Sequence, residues 1–463
     1  MKNKSKELPR IAVKFANVVF VLGILFSILL VVYAIYKTYK LPENVSIVFY
    51  IISMLCGGMF VALFGFGLKR LSNNLKVNLS ILFFTVGIAV YGFETYLYFF
   101  LEEKPIVSQR KIIAKQMDIS YDTRTVMEVT EDLRDSGVKA FPNICPCAFN
   151  ISNGLTTKNG RIFPLGIISN STVVLRNEGG YFPIVETDEH GFNNSKGLYI
   201  ENNVDIVLTG DSFAEGVSVH SNETIGAVLR QLNFNAISVG KQGNSPLIEL
   251  AALKEYAEPL KPKIVLWLFY GNDLLGLQGE MGSSILKKYL NEDDYSQNLI
   301  SRQEEIDGVL IKYVQSEWEK EKKKKRIINR LKLNKLRRTL NLEHSFSYKP
   351  YTPTPVFRDV LQKSKQMVSK WNGKMYFVYL PGFERYSTGN EHVNRDFVMQ
   401  MATELDIPII DIHKEVFDPQ SDPLSLFPFR VAGHYNAQGY RLVAEAIGRQ
   451  LEADGYVSIK SKK

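Results

Sequence analysis

Three long apolar runs near the start of the chain limit its possible folds more than any other feature. Phe15 to Tyr36 and Val45 to Leu68 contain no charged residue, and Leu79 to Leu101 contains only Glu94. Each run is long enough to cross about 30 Å of hydrocarbon as a helix. A cleaved signal peptide is the alternative for the first run, which is long and lacks a clear small-residue cleavage site. The pattern predicts a membrane anchor of three transmembrane helices over residues 1–101.

The distribution of basic residues predicts the orientation of this anchor. Positive charge is concentrated before the first run and between the second and third runs, at Lys2, Lys4, Lys6, Arg10, Lys69, Arg70 and Lys76. Loops rich in Lys and Arg stay on the cytoplasmic side. We therefore expect a multi-pass protein of the cytoplasmic (inner) membrane. Its N-terminus would lie inside, and everything after Leu101 would be periplasmic or extracellular.

The chain has 463 residues, 45% of them hydrophobic, and a net charge of +8. Much of the positive charge belongs to one stretch: Lys320, Lys322 to Lys325, Arg326, Arg330, Lys332, Lys335, Arg337 and Arg338. If this stretch is helical, Ile327, Ile328, Leu331 and Leu336 form a rough apolar stripe. Two interpretations of this stretch remain open. It contacts anionic headgroups or an anionic glycan, or it is simply a solvated helix face. Nucleic acid is not an expected partner on this side of a membrane.

The cysteines and histidines give little support to a metal centre. Cys56 lies in the second apolar run, whereas Cys145 and Cys147 form a Cys-Pro-Cys sequence. A bridge across one residue is geometrically strained, which favours two free or transiently oxidised thiols there. There are six histidines and no paired cysteine motif with zinc spacing. We predict no metal and no cofactor.

From Asp205 onward, apolar strands alternate with helical segments, which predicts a parallel sheet with crossover helices. The predicted strands are residues 206–208, 235–239, 264–269, 375–380 and 407–410. Residues 204–463 would form a catalytic domain with a helical basic insertion at about 274–354. Residues 102–203 would form a stalk with accessory strands and loops. His190 in this segment is a possible substrate ligand, although a structural role is favoured.

Polar residues suited to one reaction follow the predicted strands. Ser212 follows the first strand, Gly243 the second and Asn272 the third, while His434 precedes the last helix. Acyl transfer needs a nucleophile, a base, and donors aimed at the developing oxyanion. Taken alone, Gly-Asp-Ser is equally typical of a helix cap. The four residues in this order favour a nucleophilic serine.

These four blocks resemble those of the SGNH/GDSL hydrolases, here of a membrane-anchored bacterial type. They read GDSF at 210–213, GNS at 243–245, GND at 271–273 and GHYNAQG at 433–439. The resemblance implies a three-layer α/β/α, flavodoxin-like parallel sheet. It also implies that Ser212 is the nucleophile and His434 the base. Ser212, Gly243 and Asn272 would form the oxyanion hole.

One position departs from the family pattern. The family usually places an Asp two or three residues before the His, but Ala432 and Val431 stand there. A backbone carbonyl could orient His434 in a Ser–His dyad. Asp411 or Asp422 could do so from neighbouring loops, or the site could be impaired.

The sequence therefore predicts a membrane-anchored serine esterase or O-acyltransferase that acts on ester-linked acyl groups, preferably on cell-envelope carbohydrate. Two alternatives remain. One is a non-catalytic glycan- or lipid-binding component of an envelope assembly, suggested by the missing Asp. The other is a membrane-surface lipase that docks through the basic insertion.

Overall fold

The computed structural model describes residues 9–39, 48–100, 105–201, 203–324, 333, 336, 355–389 and 394–456. The chain divides into two compact units. One comprises residues 1–103 and 319–350, and the other comprises residues 104–318 and 351–463.

The first unit contains three helices, Arg10–Tyr39, Val48–Arg70 and Asn73–Phe100. All three are long and apolar enough to cross a membrane, as the sequence predicts. Their outward surfaces are apolar: Phe26 is 71% exposed and Leu29 is 66% exposed. Contiguous apolar surface of this kind is rare on soluble monomers, and it suits a lipid environment.

The second unit is built on a five-stranded sheet. In chain order the strands of this unit are β1 (Ala140–Pro142), β2 (Leu155–Thr157), β3 (Gly160–Ile162), β4 (Thr172–Val174), β5 (Ile184–Glu186), β6 (Ile206–Gly210), β7 (Ala236–Ser238), β8 (Ile264–Phe269), β9 (Lys374–Tyr379) and β10 (Ile409–Asp411). The large sheet has the order β10-β9-β8-β6-β7, with every neighbouring pair parallel. Counted from β6, this is the flavodoxin-like order, in which the chain reverses direction across the sheet between β6 and β8. The predicted fold class is confirmed.

The sheet is buried on both faces, which explains its continuous apolar strands. Alternate residues face opposite layers, because side chains point to opposite sides along a strand. Val207 and Trp267 belong to one apolar core, and Leu208 and Leu266 belong to the other. The sheet is therefore the middle layer of three.

The helices of the second unit lie between and beside these strands. Their bounds are Pro105–Gln116, Val126–Asp135, Ser212–Glu215, Ile225–Gln231, Pro246–Ala252, Asp273–Glu280, Ser284–Asn291, Gln303–Lys324, Pro355–Ser369, Phe383–Ser387, Arg395–Glu404 and Ala437–Ala453. The predicted basic insertion lies outside the described residues from Lys325 to Thr354, apart from positions 333 and 336.

The accessory strands form two small sheets. Strand β4 lies between β1, to which it is parallel, and β5, to which it is antiparallel. Strands β2 and β3 form a separate hairpin. The connection between β4 and β5 is closed at its base, because the Leu175 N–H donates to the Pro183 carbonyl at 2.9 Å. This closed connection, residues 175–183, carries one wall of the site described below.

Candidate active site

The end of β6 holds Ser212 at the carboxyl edge of the sheet. Gly210 has a φ of +149°, and a Cβ there would lie 2.8 Å from the Leu268 carbonyl oxygen of the neighbouring strand. Only glycine fits such a close approach without strain. Asp211 then caps the short helix, accepting from the Phe213 N–H at 2.9 Å. This turn presents Ser212 in the crevice where the strand order reverses, which is where ligands bind in open α/β sheets.

His434 approaches Ser212 from the loop that precedes the last helix. That helix begins at Ala437 and is capped by the side chain of Asn436, which accepts from the Gly439 N–H at 3.0 Å. The cap fixes the loop, and the Nε2 of His434 lies 2.7 Å from the Oγ of Ser212. The predicted nucleophile and base are therefore within hydrogen-bonding distance.

The carboxylate beside His434 is Glu178, from the connection between β4 and β5. Its Oε2 lies 3.1 Å from Nδ1 of His434 and accepts the backbone N–H of the same residue at 2.8 Å. An ionised carboxylate can only accept, so Nδ1 must carry the proton. Nε2 is then left unprotonated, ready to accept the proton of Ser212. This is the tautomer that a serine nucleophile requires.

Gly433 leaves room for Glu178, and Arg110 holds the carboxylate of Glu178 in place. The Arg110 guanidinium lies 3.5 Å from the Glu178 Oε2 and donates to the Ala432 carbonyl at 2.7 Å. A Cβ on Gly433 would overlap both the Glu178 carboxylate and the Arg110 guanidinium. The loop that carries His434 can approach the acid so closely because position 433 has no side chain.

Asp411 and Asp422, the two acids considered as possible partners of His434, are engaged elsewhere, so that alternative is wrong. Asp411 pairs with Arg395 at 2.6 Å and accepts the His413 N–H at 3.2 Å. Asp422 pairs with Arg430. Each of these carboxylates has a nearby arginine as its partner, whereas Glu178 is the partner of Nδ1 of His434. A backbone carbonyl is likewise not the partner of that nitrogen.

Charge and burial set the protonation of this cluster. Burial by itself would raise the pKa of Glu178, but His434 and Arg110 outweigh it and lower that pKa to about 2. Burial would lower the pKa of His434, but Glu178 outweighs that effect and raises it above 6.5. Glu178 is therefore ionised at neutral pH, and it stabilises the positive charge that His434 acquires when it takes a proton.

Asn272 lies on the same cleft as His434, after strand β8. Its side chain also acts on Asp211, next to the nucleophile, where it opposes the rise that burial causes in the pKa of that carboxyl. The structure thus brings together Ser212, His434 and Asn272. The donation of hydrogen bonds by Asn272 to an oxyanion remains a prediction.

Gly243 follows β7 and packs against the Cys-Pro-Cys sequence. It has a φ of +73°, and a Cβ there would overlap the Sγ atoms of Cys145 and Cys147. The structure pairs these cysteines in a disulfide, where the sequence favoured thiols. The adjacent Asn244 side chain donates to the Gly210 carbonyl at 3.3 Å, so this loop lies against the end of β6. The oxyanion role of the Gly243 N–H stays a prediction.

Three other polar residues, Asp211, Asp273 and His190, do not line the cleft. Asp211 caps Phe213, as described above, and its other carboxylate oxygen accepts from the Ser212 Oγ at 3.1 Å. Asp273 accepts the Tyr270 N–H at 2.9 Å. His190 is buried, 4.6 Å from the Tyr199 ring between ring centroids, and it does not line the cleft. The position of His190 therefore agrees with a structural role.

Glu178 is the functional residue that the sequence reasoning missed. The absence of an Asp before His434 indicated that an acid must come from elsewhere. Glu178 follows the apolar stretch Thr172–Leu175 and precedes two glycines, which is a weak signal for a carboxylate on a turn. Nothing local separates it from other acids of the same segment.

The cleft beside these residues has a volume of about 650 Å³. Phe182, Phe213 and Tyr270 supply aromatic surface to its wall, while Asn272 and His434 stand at the site itself. This size falls within the usual range for small-molecule pockets. Within the described ranges, no cluster of His, Cys, Asp and Glu is suited to a metal ion.

No protein-family profile and no curated protein matches the chain. Solved structures do. A protein assigned to the lipolytic G-D-S-L family from Desulfitobacterium hafniense is 14% identical, covers 53% of this chain and 98% of its own, and has a TM-score of 0.30. The acetyl xylan esterase AlAXEase is 14% identical, covers 53% and 99%, and has a TM-score of 0.31. The esterase EstA from Pseudoalteromonas sp. is 11% identical, covers 54% and 97%, and has a TM-score of 0.29.

The strand order and the positions of the four sequence blocks are properties of this chain itself. Ser212 follows β6, Gly243 follows β7, Asn272 follows β8 and His434 precedes the last helix. By this arrangement, the chain has a flavodoxin-like fold, and the four blocks that resemble those of the SGNH/GDSL hydrolases stand at the strand ends and before the last helix.

Proposed function

We propose that this protein is a membrane-anchored serine esterase or O-acyltransferase of the SGNH/GDSL type. The observation that carries the proposal is the line of contacts from Ser212 through His434 to Glu178, at 2.7 Å and 3.1 Å. A nucleophile within reach of a base that is itself oriented by a carboxylate is the arrangement of serine acyl-transfer enzymes.

In the proposed reaction, the Ser212 Oγ attacks the carbonyl carbon of an ester, and His434 Nε2 takes the hydroxyl proton. The N–H groups of Ser212 and Gly243 and the amide of Asn272 stabilise the oxyanion. The tetrahedral intermediate collapses, the alcohol leaves with the proton from His434, and an acyl-serine remains. His434 then activates water, or a sugar hydroxyl, to accept the acyl group.

The proposed setting is the outer side of the cytoplasmic membrane. Three helices able to span a membrane, together with basic loops, support N-terminus-in anchoring. An anchored enzyme there lies beside nascent surface glycans, which makes carbohydrate O-acyl groups the preferred substrate. The rival role as a non-catalytic binder was suggested by a missing acid, and Glu178 removes that reason for it. The lipase alternative depends on a basic stretch that lies mostly outside the described residues.

The test compares the detergent-solubilised full chain with Ser212→Ala. We expect the unaltered chain to hydrolyse para-nitrophenyl acetate and to be labelled by a fluorophosphonate, and Ser212→Ala to lose both properties. Ser369→Ala, on the exposed end of the helix Pro355–Ser369, is the matched control and should retain both. Equal hydrolysis by the unaltered chain and Ser212→Ala would refute the nucleophile. An absence of labelling at every pH would favour the binder.

A further inference from the structure

Three arginines line the cleft beside His434: Arg110, Arg124 and Arg176. Two of them are neutralised by carboxylates. Arg124 pairs with Asp122 and with Asp132, each at 2.6 Å. Arg110 lies against Glu178, as described above. The charge of these two side chains is therefore already used within the protein.

Arg176 is different. It is exposed, it lines the cleft, and it stands two residues before Glu178 in the same connection. Among the residues that the structure describes, no carboxylate pairs with it. The positive charge of Arg176 acts on the site, because it lowers the pKa of His434.

Arg110, by contrast, is enclosed by the protein. Its side chain is only 5% exposed, and its Nε is buried. Arg176 is therefore the arginine of this cleft that is both exposed and without a paired carboxylate among the described residues.

The remaining wall is apolar and aromatic, with Phe182 and Tyr270 among its residues. Such a surface can contact the uncharged body of a substrate. The cleft thus combines an exposed cation, which no described carboxylate pairs, with an apolar face, and both lie in the cleft that His434 lines.

We infer that the ester substrate of this site carries an anionic group, a carboxylate or a phosphate, which binds Arg176 at the mouth of the cleft. This inference rests on the proposed function and names its substrate class. Guanidinium groups match carboxylate and phosphate oxygens in geometry as well as in charge. An acidic envelope glycan and a phosphate-bearing polymer are both sources of such a group.

The experiment uses two pairs of acetyl esters that differ in charge. Para-acetoxybenzoate is compared with para-acetoxybenzamide, and para-acetoxyphenyl phosphate with para-acetoxyphenyl methyl ether. The quantity measured is the ratio of kcat/KM for the anionic ester to that for its neutral partner, with the detergent-solubilised full chain. We expect this ratio to fall about twofold to fivefold in Arg176→Gln, mostly through KM, as for an exposed charge pair with its partner removed. Arg176→Lys should restore part of it.

Salt and a surface variant provide the controls. Raising the ionic strength should lower the ratio for the unaltered chain and have little effect on Arg176→Gln, because exposed charges are screened. Arg358→Gln, on the helix Pro355–Ser369, removes an equal charge away from the cleft and should leave the ratio unchanged. A larger fall for one pair than for the other distinguishes a carboxylate from a phosphate source.

The outcomes separate this inference from the proposed function. If the neutral esters are cleaved in a Ser212-dependent manner and the ratio is the same in Arg176→Gln, the inference is wrong and the esterase stands. An equal effect of Arg358→Gln would also overturn it. If no ester is cleaved by the unaltered chain, the proposed function fails. In that case, calorimetry measures the binding of para-acetoxybenzoate to the unaltered chain and to Arg176→Gln. Equal affinities would mean that Arg176 does not bind the anionic group.

Discussion

At the residue scale, the most informative contact is that between His434 and Glu178. It supplies the acid that the loop before His434 lacks, and it does so from a position 256 residues earlier in the chain. The role of such an acid is to hold the imidazole tautomer and to stabilise the imidazolium. The two effects can be measured separately. Holding the tautomer changes the rate, whereas stabilising the imidazolium changes the pKa of His434.

We predict that Glu178→Gln lowers kcat/KM by about 100-fold to 10,000-fold, since the wrong tautomer becomes available. Glu178 outweighs the effect of burial and raises the pKa of His434, so the acidic limb of the unaltered enzyme should have its midpoint above pH 6.5. Activity requires neutral His434 and therefore rises with pH through that midpoint. Removing the negative charge should move the midpoint to lower pH. A profile of kcat/KM from about pH 5 to about pH 9 measures both effects.

The control for this variant is Glu186→Gln, an exposed glutamate on β5. It should change neither the rate nor the profile. An unshifted acidic limb in Glu178→Gln would mean that Glu178 does not control the protonation of His434.

We predict that Gly433→Ala lowers activity by about 100-fold, because its Cβ would displace the Glu178 carboxylate and the Arg110 guanidinium. The matched control is Gly308→Ala, a helical position with open space around the added Cβ. Assays of para-nitrophenyl acetate hydrolysis by both variants provide the measurement. Full activity of Gly433→Ala would show that the loop and the acid do not depend on this close approach.

At the element scale, a buried ion pair joins the helix that starts at Ser212 to the loop that carries Gly243. Lys241 pairs with Glu215, and both side chains are 1% exposed. Glu215 also accepts the Gln242 N–H at 2.7 Å, and Lys241 donates to Asn143 at 2.9 Å. The pair fixes the nucleophile helix and the predicted oxyanion loop relative to each other.

We predict that Lys241→Met destabilises the protein by about 3–5 kcal/mol, because it leaves the buried Glu215 charge unpaired. The double variant Glu215→Gln/Lys241→Met should recover part of the loss. The exposed pair of Lys261 and Glu201, at 3.0 Å, is the comparison, and Lys261→Met should cost less than about 1 kcal/mol. Thermal unfolding followed by tryptophan fluorescence measures both variants. Equal midpoints for them would contradict the prediction.

The elements also explain what the sequence could predict. The strands and the residues that follow them were predictable because an apolar run ending in Gly or Asn is a local pattern, as at β6 and β8. Glu178 was not, because its selection depends on Arg110 and Gly433, which reach it only through tertiary packing. Asp411 and Asp422 looked equally suitable, since their arginine partners could not be assigned from spacing alone.

At the scale of the whole molecule, the orientation of the anchor is open to a direct test. We predict that a reporter active only outside the cytoplasm is active when fused after Lys463 and inactive when fused after Arg70. The reason is the excess of Lys and Arg before the first helix and after the second. A cytoplasmic reporter fused at the same two sites is the control and should give the opposite result. Activity of the cytoplasmic reporter after Lys463 would overturn the proposed orientation.

The order of the site residues along the chain has a consequence for the time at which the enzyme first becomes active. Glu178 and Ser212 are synthesised well before His434, and 256 residues separate the acid from the base. At about 5–20 residues per second, translation of that interval takes on the order of ten seconds to a minute. The three apolar helices are made earlier still. In the proposed orientation, the growing chain is already crossing the membrane before His434 is made. During this time Ser212 has no base beside it. The ester-cleaving site is then completed only on the far side, away from the esters of the cytoplasm.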